Sequence, residues 1–334
     1  MSDFKDRLDN FLTRKGEAGE VRRLTPDAST REYFRIDWNG RSAIACVYPE
    51  PFVAAEQSYL DVSALFLNSG LPVADIYGFD EALGIIIQED LGDTVLRDVL
   101  EKAKPDRREE MIDEAIELIA RIQLATDNAC QTNSIASRLK FDVEKLLWEL
   151  NFFREHYFET LKGRRLSDDD NRALDEEFLE LCEELESRAS VLCHRDFHAA
   201  NLMIDSTGRL RIIDHQDARI GSAAYDLVSL LLDRVTELPS ADWLASKRGL
   251  LIEKRVEFGL SRLDEAGFAY EFRLQTIQRC LKATGTFSFQ SVNRGKTYFL
   301  PFIKPMFQIV LHAAEDLDRF PTLRQIAVRE LNQT

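Results

Sequence analysis

Three oxygen-bearing side chains follow one another along Val191–Asp217, VLCHRDFHAANLMIDSTGRLRIIDHQD. Asp196 closes the triplet His194-Arg195-Asp196, Asn201 stands five residues further on, and Asp214 ends a strand pair turned at Thr207-Gly208. Two carboxylates and an amide in this order suit phosphoryl transfer from ATP. Asp196 would accept the proton of an attacking hydroxyl, while the Asn201 amide oxygen and the Asp214 carboxylate would hold Mg²⁺ against the phosphates. Mg²⁺ takes hard oxygen ligands and keeps several waters, so two protein ligands are enough. The competing reading is a hairpin with solvent-facing carboxylates. That reading suits an isolated His-Arg-Asp better than this ordered set.

The elements that must position these groups are legible from period and punctuation. Short apolar runs, VLC and then LMIDSTGRLRIID, predict two strands around the polar loop that carries Asp196. Upstream, residues 3–14 read as an amphipathic helix with Phe4, Leu8, Phe11 and Leu12 on one face. Residues 21–49 read as β, with a loop at Thr25–Arg31 and a hairpin turn at Asn39-Gly40. A helix is predicted from about Ala54 to Ser69, stopped by Gly70, followed by strands at Val73–Phe79 and Leu83–Gln88. Beyond residue 94 the period becomes 3.6, predicting helices over 94–102, 107–126, 140–161, 168–188, 224–235, 240–267, 270–283 and 301–318. The expected organisation is therefore a β-rich lobe over 1–90. A mostly helical lobe over 91–334 carries catalysis and the acceptor, and the crossing lies at 88–92.

Composition narrows the partners. A chain of 334 residues exceeds the roughly 250–300 residues at which single cores stop growing. Lys plus Arg number 43 against 58 Asp plus Glu, for a net charge of −15. That balance argues against a protein that coats nucleic acid or an anionic membrane. The five cysteines, Cys46, Cys130, Cys182, Cys193 and Cys280, form no C-x-x-C pair and fit a reducing compartment. The N-terminus MSDFKDRLDN has no apolar stretch of the secretory kind, and no run approaches the ~20 apolar residues of a membrane span. A cytoplasmic protein is expected, with its oligomeric state left open.

HRDFHAANLMI…IIDHQDARIGSAAYDLVSLL resembles the aminoglycoside-phosphotransferase-like branch of the protein-kinase-like fold. With DASTREYFR near the start and QRCLKATGTF at 278–287, it looks most similar to the bacterial anomeric kinases of N-acetylmuramate and N-acetylglucosamine. The resemblance implies a bilobal α+β kinase fold and an ATP- and Mg²⁺-dependent sugar kinase (an alcohol-group phosphotransferase) of cell-wall sugar recycling. It implies Asp196 as base, Asn201 and Asp214 as Mg²⁺ ligands, and Asp217 as a further contact to metal or substrate. Asp226 in YDLVSLL is then either the brace of the catalytic loop or a plain helix N-cap. His194 packs in the loop, and His198 either touches substrate or faces water.

In the first lobe, Ser29 and Thr30 occupy the place of a phosphate-covering loop without its usual glycines. Glu56 stands where kinase-like folds put the glutamate partner of a strand lysine. That lysine is missing from Ser42–Tyr48, and Cys46 sits near its place. Arg31 or Arg35 would substitute for it, with Arg31 preferred. Gln88, Glu89 and Leu91 fall on the adenine-contacting segment. For the acceptor, the resemblance points to Gln278, Arg279 and Lys282, the bland alternative being an exposed helix stripe. A substrate carboxylate such as muramate's would be met by Arg279, Lys282 or Arg219. The alternatives are an aminoglycoside, choline-like or other sugar kinase of the same fold, or a nucleotide-binding protein without transfer activity.

Overall fold

A computed structural model describes residues 3–17, 19–24 and 30–333. Its strands are β1 (Arg22–Leu24), β2 (Glu32–Trp38), β3 (Arg41–Val47), β4 (Ile76–Asp80), β5 (Ile85–Glu89), β6 (Val191–Cys193), β7 (Leu202–Ile204), β8 (Leu210–Ile212) and β9 (Arg219–Gly221). Its helices are α1 (Asp3–Lys15), α2 (Ser58–Asn68), α3 (Leu96–Leu100), α4 (Pro105–Leu124), α5 (Thr126–Gln131), α6 (Ile135–Arg138) and α7 (Val143–Phe153). They continue with α8 (Asp168–Arg188), α9 (Tyr225–Leu232), α10 (Ala241–Glu257), α11 (Glu265–Asn293), α12 (Ile303–Leu317) and α13 (Pro321–Leu331). Packing divides the chain into two compact units. The first comprises Met1–Ala103, Asn128–Ala136 and Ala199–Asp217, and the second comprises Lys104–Asp127, Ser137–His198 and Ala218–Thr334.

The first unit is built on a five-stranded antiparallel sheet of order β1-β2-β3-β5-β4. Asn39 and Gly40 turn β2 into β3 with φ of 53° and 73°, the doubly left-handed turn that Asn-Gly favours. Side chains alternate between the two faces. One face, Phe34, Ile36, Ala43, Ala45, Val47, Ile85 and Ile87, packs on Leu8, Phe11 and Leu12 of α1. The other carries Cys46 and Ile86, covered by Tyr59 of α2 together with Tyr33 and Tyr48. Val73, predicted to open a strand of this sheet, instead bridges Ile212 in parallel, so the β7–β8 hairpin joins this unit.

The second unit gathers around α11. The helix starts earlier and ends later than the expected 270–283: it runs from Glu265 to Asn293 without a break. The expected helix 240–267 would end inside α11, but the Asp264 carboxylate accepts the Gly267 N–H at 2.7 Å. The glycine therefore lies in a capped first turn. Pro321 at the first position of α13 starts a helix not expected from the pattern, straight after Phe320 at φ 58°. The predicted helix 140–161 begins at an Asp142 cap and widens to a π-helix over Arg154–Leu161.

Gly285 of α11 sits where α7 passes. A Cβ there would lie 2.6 Å from Phe153 Cα and 2.9 Å from Phe153 N, so only hydrogen fits between the two backbones. Gly285→Ala should therefore destabilise the protein by about 1–3 kcal/mol through overpacking, read as a lower midpoint in urea melts. A midpoint equal to that of the parent would show that the two helices are free to separate.

Candidate active site

In the first unit, the loop after His198 delivers Asn201 at the end of a single 3-10 turn, Ala199–Asn201. The Asn201 carbonyl accepts from Ile213 N at 3.1 Å, which ties the turn to the end of the hairpin. Asp214 follows at φ 62°, a left-handed conformation that aspartate tolerates better than most residues. Asn201 Nδ2 donates to Asp214 Oδ2 at 3.4 Å, and Gln216 Nε2 donates to Asp214 Oδ1 at 2.8 Å. The next residue anchors this turn. The His215 ring stacks on Tyr59 at 4.9 Å and Phe66 at 5.4 Å, and its Nε2 lies 2.7 Å from Ser63 Oγ on α2. The neighbouring Asn201 amide and exposed Asp214 carboxylate form a hard-oxygen pair. Such a pair fits Mg²⁺, with phosphates and water completing its shell. Asp217, half-buried, lies three residues beyond Asp214.

Arg31 is the cation that reaches Asp214. Its NH2 stands 3.7 Å from Asp214 Oδ1, and its guanidinium lies over Tyr33 and Tyr48 at 5.7 and 5.6 Å. Tyr33 pairs across the strands with Cys46, at the place of the missing lysine. Burial pushes the Cys46 thiol up to about 11, so that place holds a neutral group. Arg35 is engaged elsewhere: Nε lies 2.6 Å from Asp90 Oδ2 and NH2 lies 2.9 Å from Asp93 Oδ1. Burial would raise the Asp90 carboxyl, but Arg35 and Ser42 outweigh it and hold it low.

The remaining first-unit candidates occupy varied places. Glu56 is exposed on the 3-10 turn Ala54–Glu56, ahead of α2 rather than within it. Gln88 accepts from the Tyr59 hydroxyl at 2.7 Å. Glu89 holds Arg211, whose NH1 donates at 3.0 Å, and its own N–H goes to Asp75 O at 2.8 Å. Leu91 packs with Ala74 and Met203. Thr30 is exposed, and Ser29 lies outside the described residues.

In the second unit, β6 runs into His194-Arg195-Asp196. Arg195 stands at φ 86°, a costly backbone for a non-glycine residue. The buried Asp226 carboxylate secures it by accepting His194 N at 2.7 Å and Arg195 N at 3.0 Å. Asp226 is thus the brace, since α9 takes its N-cap from Ala224 with no side-chain bond. Burial raises the Asp226 carboxyl, against the pull of His194 and these amides. His194 is buried edge-on to Phe197, and His198 N returns to Asp196 O at 3.0 Å.

Asp196 itself is ringed by cations. Lys282 Nζ donates to Oδ1 at 3.1 Å, Arg279 NH1 lies 3.7 Å from Oδ1, and Arg195 NH1 lies 3.8 Å from Oδ2. Burial alone would raise this carboxyl, but Lys282, Arg195 and Arg279 overwhelm it and hold it well below the usual range. Burial, then Arg279, lower the Lys282 ammonium. Arg279 also covers the Tyr225 ring at 5.1 Å.

Gln278, Arg279 and Lys282 are therefore no exposed stripe: Gln278 is fully buried and Lys282 is 14% exposed. The Arg219 guanidinium lies over the Phe141 ring at 5.2 Å. One member of this group escaped the sequence reading. Glu149 of α7 is wholly buried and accepts from Gln278 Nε2 at 2.8 Å. The available signal was a carboxylate in the apolar stripe Leu146, Leu150, Phe153 of that helix.

A model of the phosphotransferase enzyme family matches residues 20–265. The chain belongs to that family. This phosphotransferase is 30% identical over 284 residues to a protein of Neisseria meningitidis serogroup B named N-acetylmuramate/N-acetylglucosamine kinase. The match covers 83% of this chain and 80% of that protein. A Pseudomonas putida protein of the same name is 24% identical over 318 residues, 92% of this chain and 87% of that one. Among solved structures, the streptomycin–ATP–APH(2″)-IIa ternary complex is similar with a TM-score of 0.58 at 13% identity. That similarity covers 90% of this chain and 97% of that one, and it carries the fold: the α+β fold of the aminoglycoside phosphotransferases. No helix among the described residues is long and apolar enough to cross a membrane.

The Asp226 brace is directly testable in this phosphotransferase. Asp226→Asn keeps the shape but turns an amide NH₂ toward one of the two N–H donors. We expect a loss of about 1–3 kcal/mol in urea melts from the unsatisfied donors, and a kcat that falls further than nucleotide affinity. Unchanged stability and rate would remove the brace.

Proposed function

We propose that this phosphotransferase moves the γ-phosphoryl of ATP, with Mg²⁺, to the anomeric 1-hydroxyl of N-acetylmuramate or N-acetylglucosamine. The observation that carries this reading is the shared name of relatives matched over four-fifths or more of both chains. The cationic setting of Asp196 supports the acidic sugar of the pair. In a protein of net charge −15, Arg195, Arg279 and Lys282 face Asp196 together. A substrate carboxylate would be received by such a group, with Arg279 and Lys282 better placed than Arg219.

The roles follow from the chemistry of each group. Asp196 takes the proton of the acceptor hydroxyl as that oxygen bonds to the γ-phosphorus. The bond from phosphorus to the bridging oxygen then breaks, and ADP leaves. An anomeric hydroxyl is more acidic than its neighbours on the ring, so a strongly ionised carboxylate serves it. Asn201 and Asp214 would hold Mg²⁺, which supplies charge neutralisation at the phosphates. Arg31 does the work of the absent strand lysine, and its planar fork suits phosphate oxygens. Most of the rate comes from positioning and charge, because the transferred group is loose in the transition state. ATP chemistry and five free cysteines, four of them buried, fit a cytoplasmic setting.

The test is an acceptor panel with ATP and Mg²⁺: N-acetylmuramate, N-acetylglucosamine, kanamycin and choline, followed by ADP release. We expect turnover of the amino sugars and a product whose phosphorus couples to H1 by NMR. Turnover of kanamycin or choline alone overturns the proposal. Asp196→Asn should lower kcat by a factor of about 10²–10⁴ while Mg·ATP still binds. Arg31→Met should raise the KM for ATP by about tenfold, the loss of one charge-assisted contact, and leave the acceptor KM in place. An unaltered KM for ATP would assign the phosphates to another cation.

A further inference from the structure

Glu149 has two oxygens in different circumstances. Oε2 accepts from Gln278 Nε2 at 2.8 Å. Oε1 is buried and accepts no hydrogen bond. Three cations stand just short of it: Lys145 at 3.9 Å, Arg195 at 4.0 Å and Lys282 at 4.0 Å. Charge-assisted hydrogen bonds close at about 2.7–2.9 Å, so each of these is about 1 Å too long. A buried anionic acceptor left open in this way is costly, and the neighbouring contacts show why it stays open. Lys282 is drawn instead to Asp196 Oδ1 at 3.1 Å, and Arg195 is divided between Glu149 and Asp196 Oδ2 at 3.8 Å. Two carboxylates thus share two cations, and Lys282 has settled on Asp196.

That arrangement is at odds with the work of Asp196. An acceptor hydroxyl must donate to the same carboxylate, and an ammonium at 3.1 Å competes for its lone pairs. Arg279 cannot exchange places in the same way, because its guanidinium is held over Tyr225 and its NH1 lies 3.4 Å from the Tyr225 hydroxyl. The Lys282 ammonium ends a flexible four-carbon stem, and the open oxygen of Glu149 lies 4.0 Å from it. We infer that Glu149 is a positioning residue that takes Lys282 over from Asp196 when the acceptor hydroxyl hydrogen-bonds to that carboxylate. The inference rests on Asp196 as the base. The groups in play are Arg195, Arg279, Lys282 and His198 around Asp196, and Lys145, Arg195, Lys282 and Gln278 around Glu149, with Cys182 and Tyr225 close enough to feel Glu149.

The experiment is a double-mutant cycle on the full chain, read with saturating Mg·ATP. Glu149→Gln, which removes the charge that draws the ammonium, should lower kcat/KM for the acceptor by about tenfold and leave the KM for ATP unaltered. In a Lys282→Met background the same change should cost less than about threefold, because its partner is gone. An equal loss in both backgrounds would mean that Glu149 merely supports the fold, and overturns the inference. Lys282→Met alone provides a second measurement that does not depend on Glu149→Gln folding. With the cation gone, the acid limb of its kcat/KM profile should rise by about one unit or more. A limb left in place overturns the inference too. Asp196→Asn separates the two claims: activity surviving in that variant removes the base itself, whereas a dead Asp196→Asn beside an additive cycle removes only the role of Glu149.

Discussion

One buried carboxylate bears the backbone on which the proposed chemistry depends. Asp226 accepts two consecutive amides, those of His194 and Arg195, and so keeps Arg195 in a left-handed conformation that the chain would otherwise abandon. A turn of that hand sends the chain from β6 sharply out of its strand direction. The side chain that follows is Asp196. Without this brace the residue type at position 196 would be right and its placement arbitrary. The corresponding device in the first unit is different in kind. There His215, stacked on Tyr59 and Phe66 and bonded to Ser63, pins the residue next to Asp214 to α2. In both places a carboxylate meant for solvent or ligand is aimed by a neighbour that is buried.

Charge is distributed with the same division of labour. The chain is acidic as a whole, and much of that acidity lies on helix faces such as that of α8. Around Asp196, however, cations outnumber carboxylates, and Lys282, Arg279 and Arg195 hold it ionised. In the first unit Arg31 comes from the segment before β2, not from β3, where Cys46 is buried and neutral. A cation is present, but it arrives from the segment that leads into the neighbouring strand.

Much of this was legible in the sequence, and for identifiable reasons. The order Asp196, Asn201, Asp214 is local, carried on one strand–loop–hairpin, so spacing alone exposes it. Asn39-Gly40 specifies its own turn, and the stripe Leu8, Phe11, Leu12 specifies the buried face of α1. Arg31 could be preferred over Arg35 only weakly, because what separates them is the pair of aspartates, Asp90 and Asp93, that the fold brings to Arg35. Glu149 was not legible as a member of this cluster because, Lys145 apart, its partners lie 46 or more positions away on Arg195, Gln278 and Lys282. Only tertiary packing joins them. The expected helices 240–267 and 270–283 miss the limits of α11 for a local reason: the Asp264 carboxylate caps its first turn at the Gly267 N–H.

The contact at Gly285 has a further consequence. Because the backbones of α7 and α11 touch there, the gap between Glu149 and Lys282 is set by main chain and cannot be adjusted by sliding one helix against the other. With this glycine in place, that gap can be varied only by lengthening or shortening individual side chains on a fixed frame.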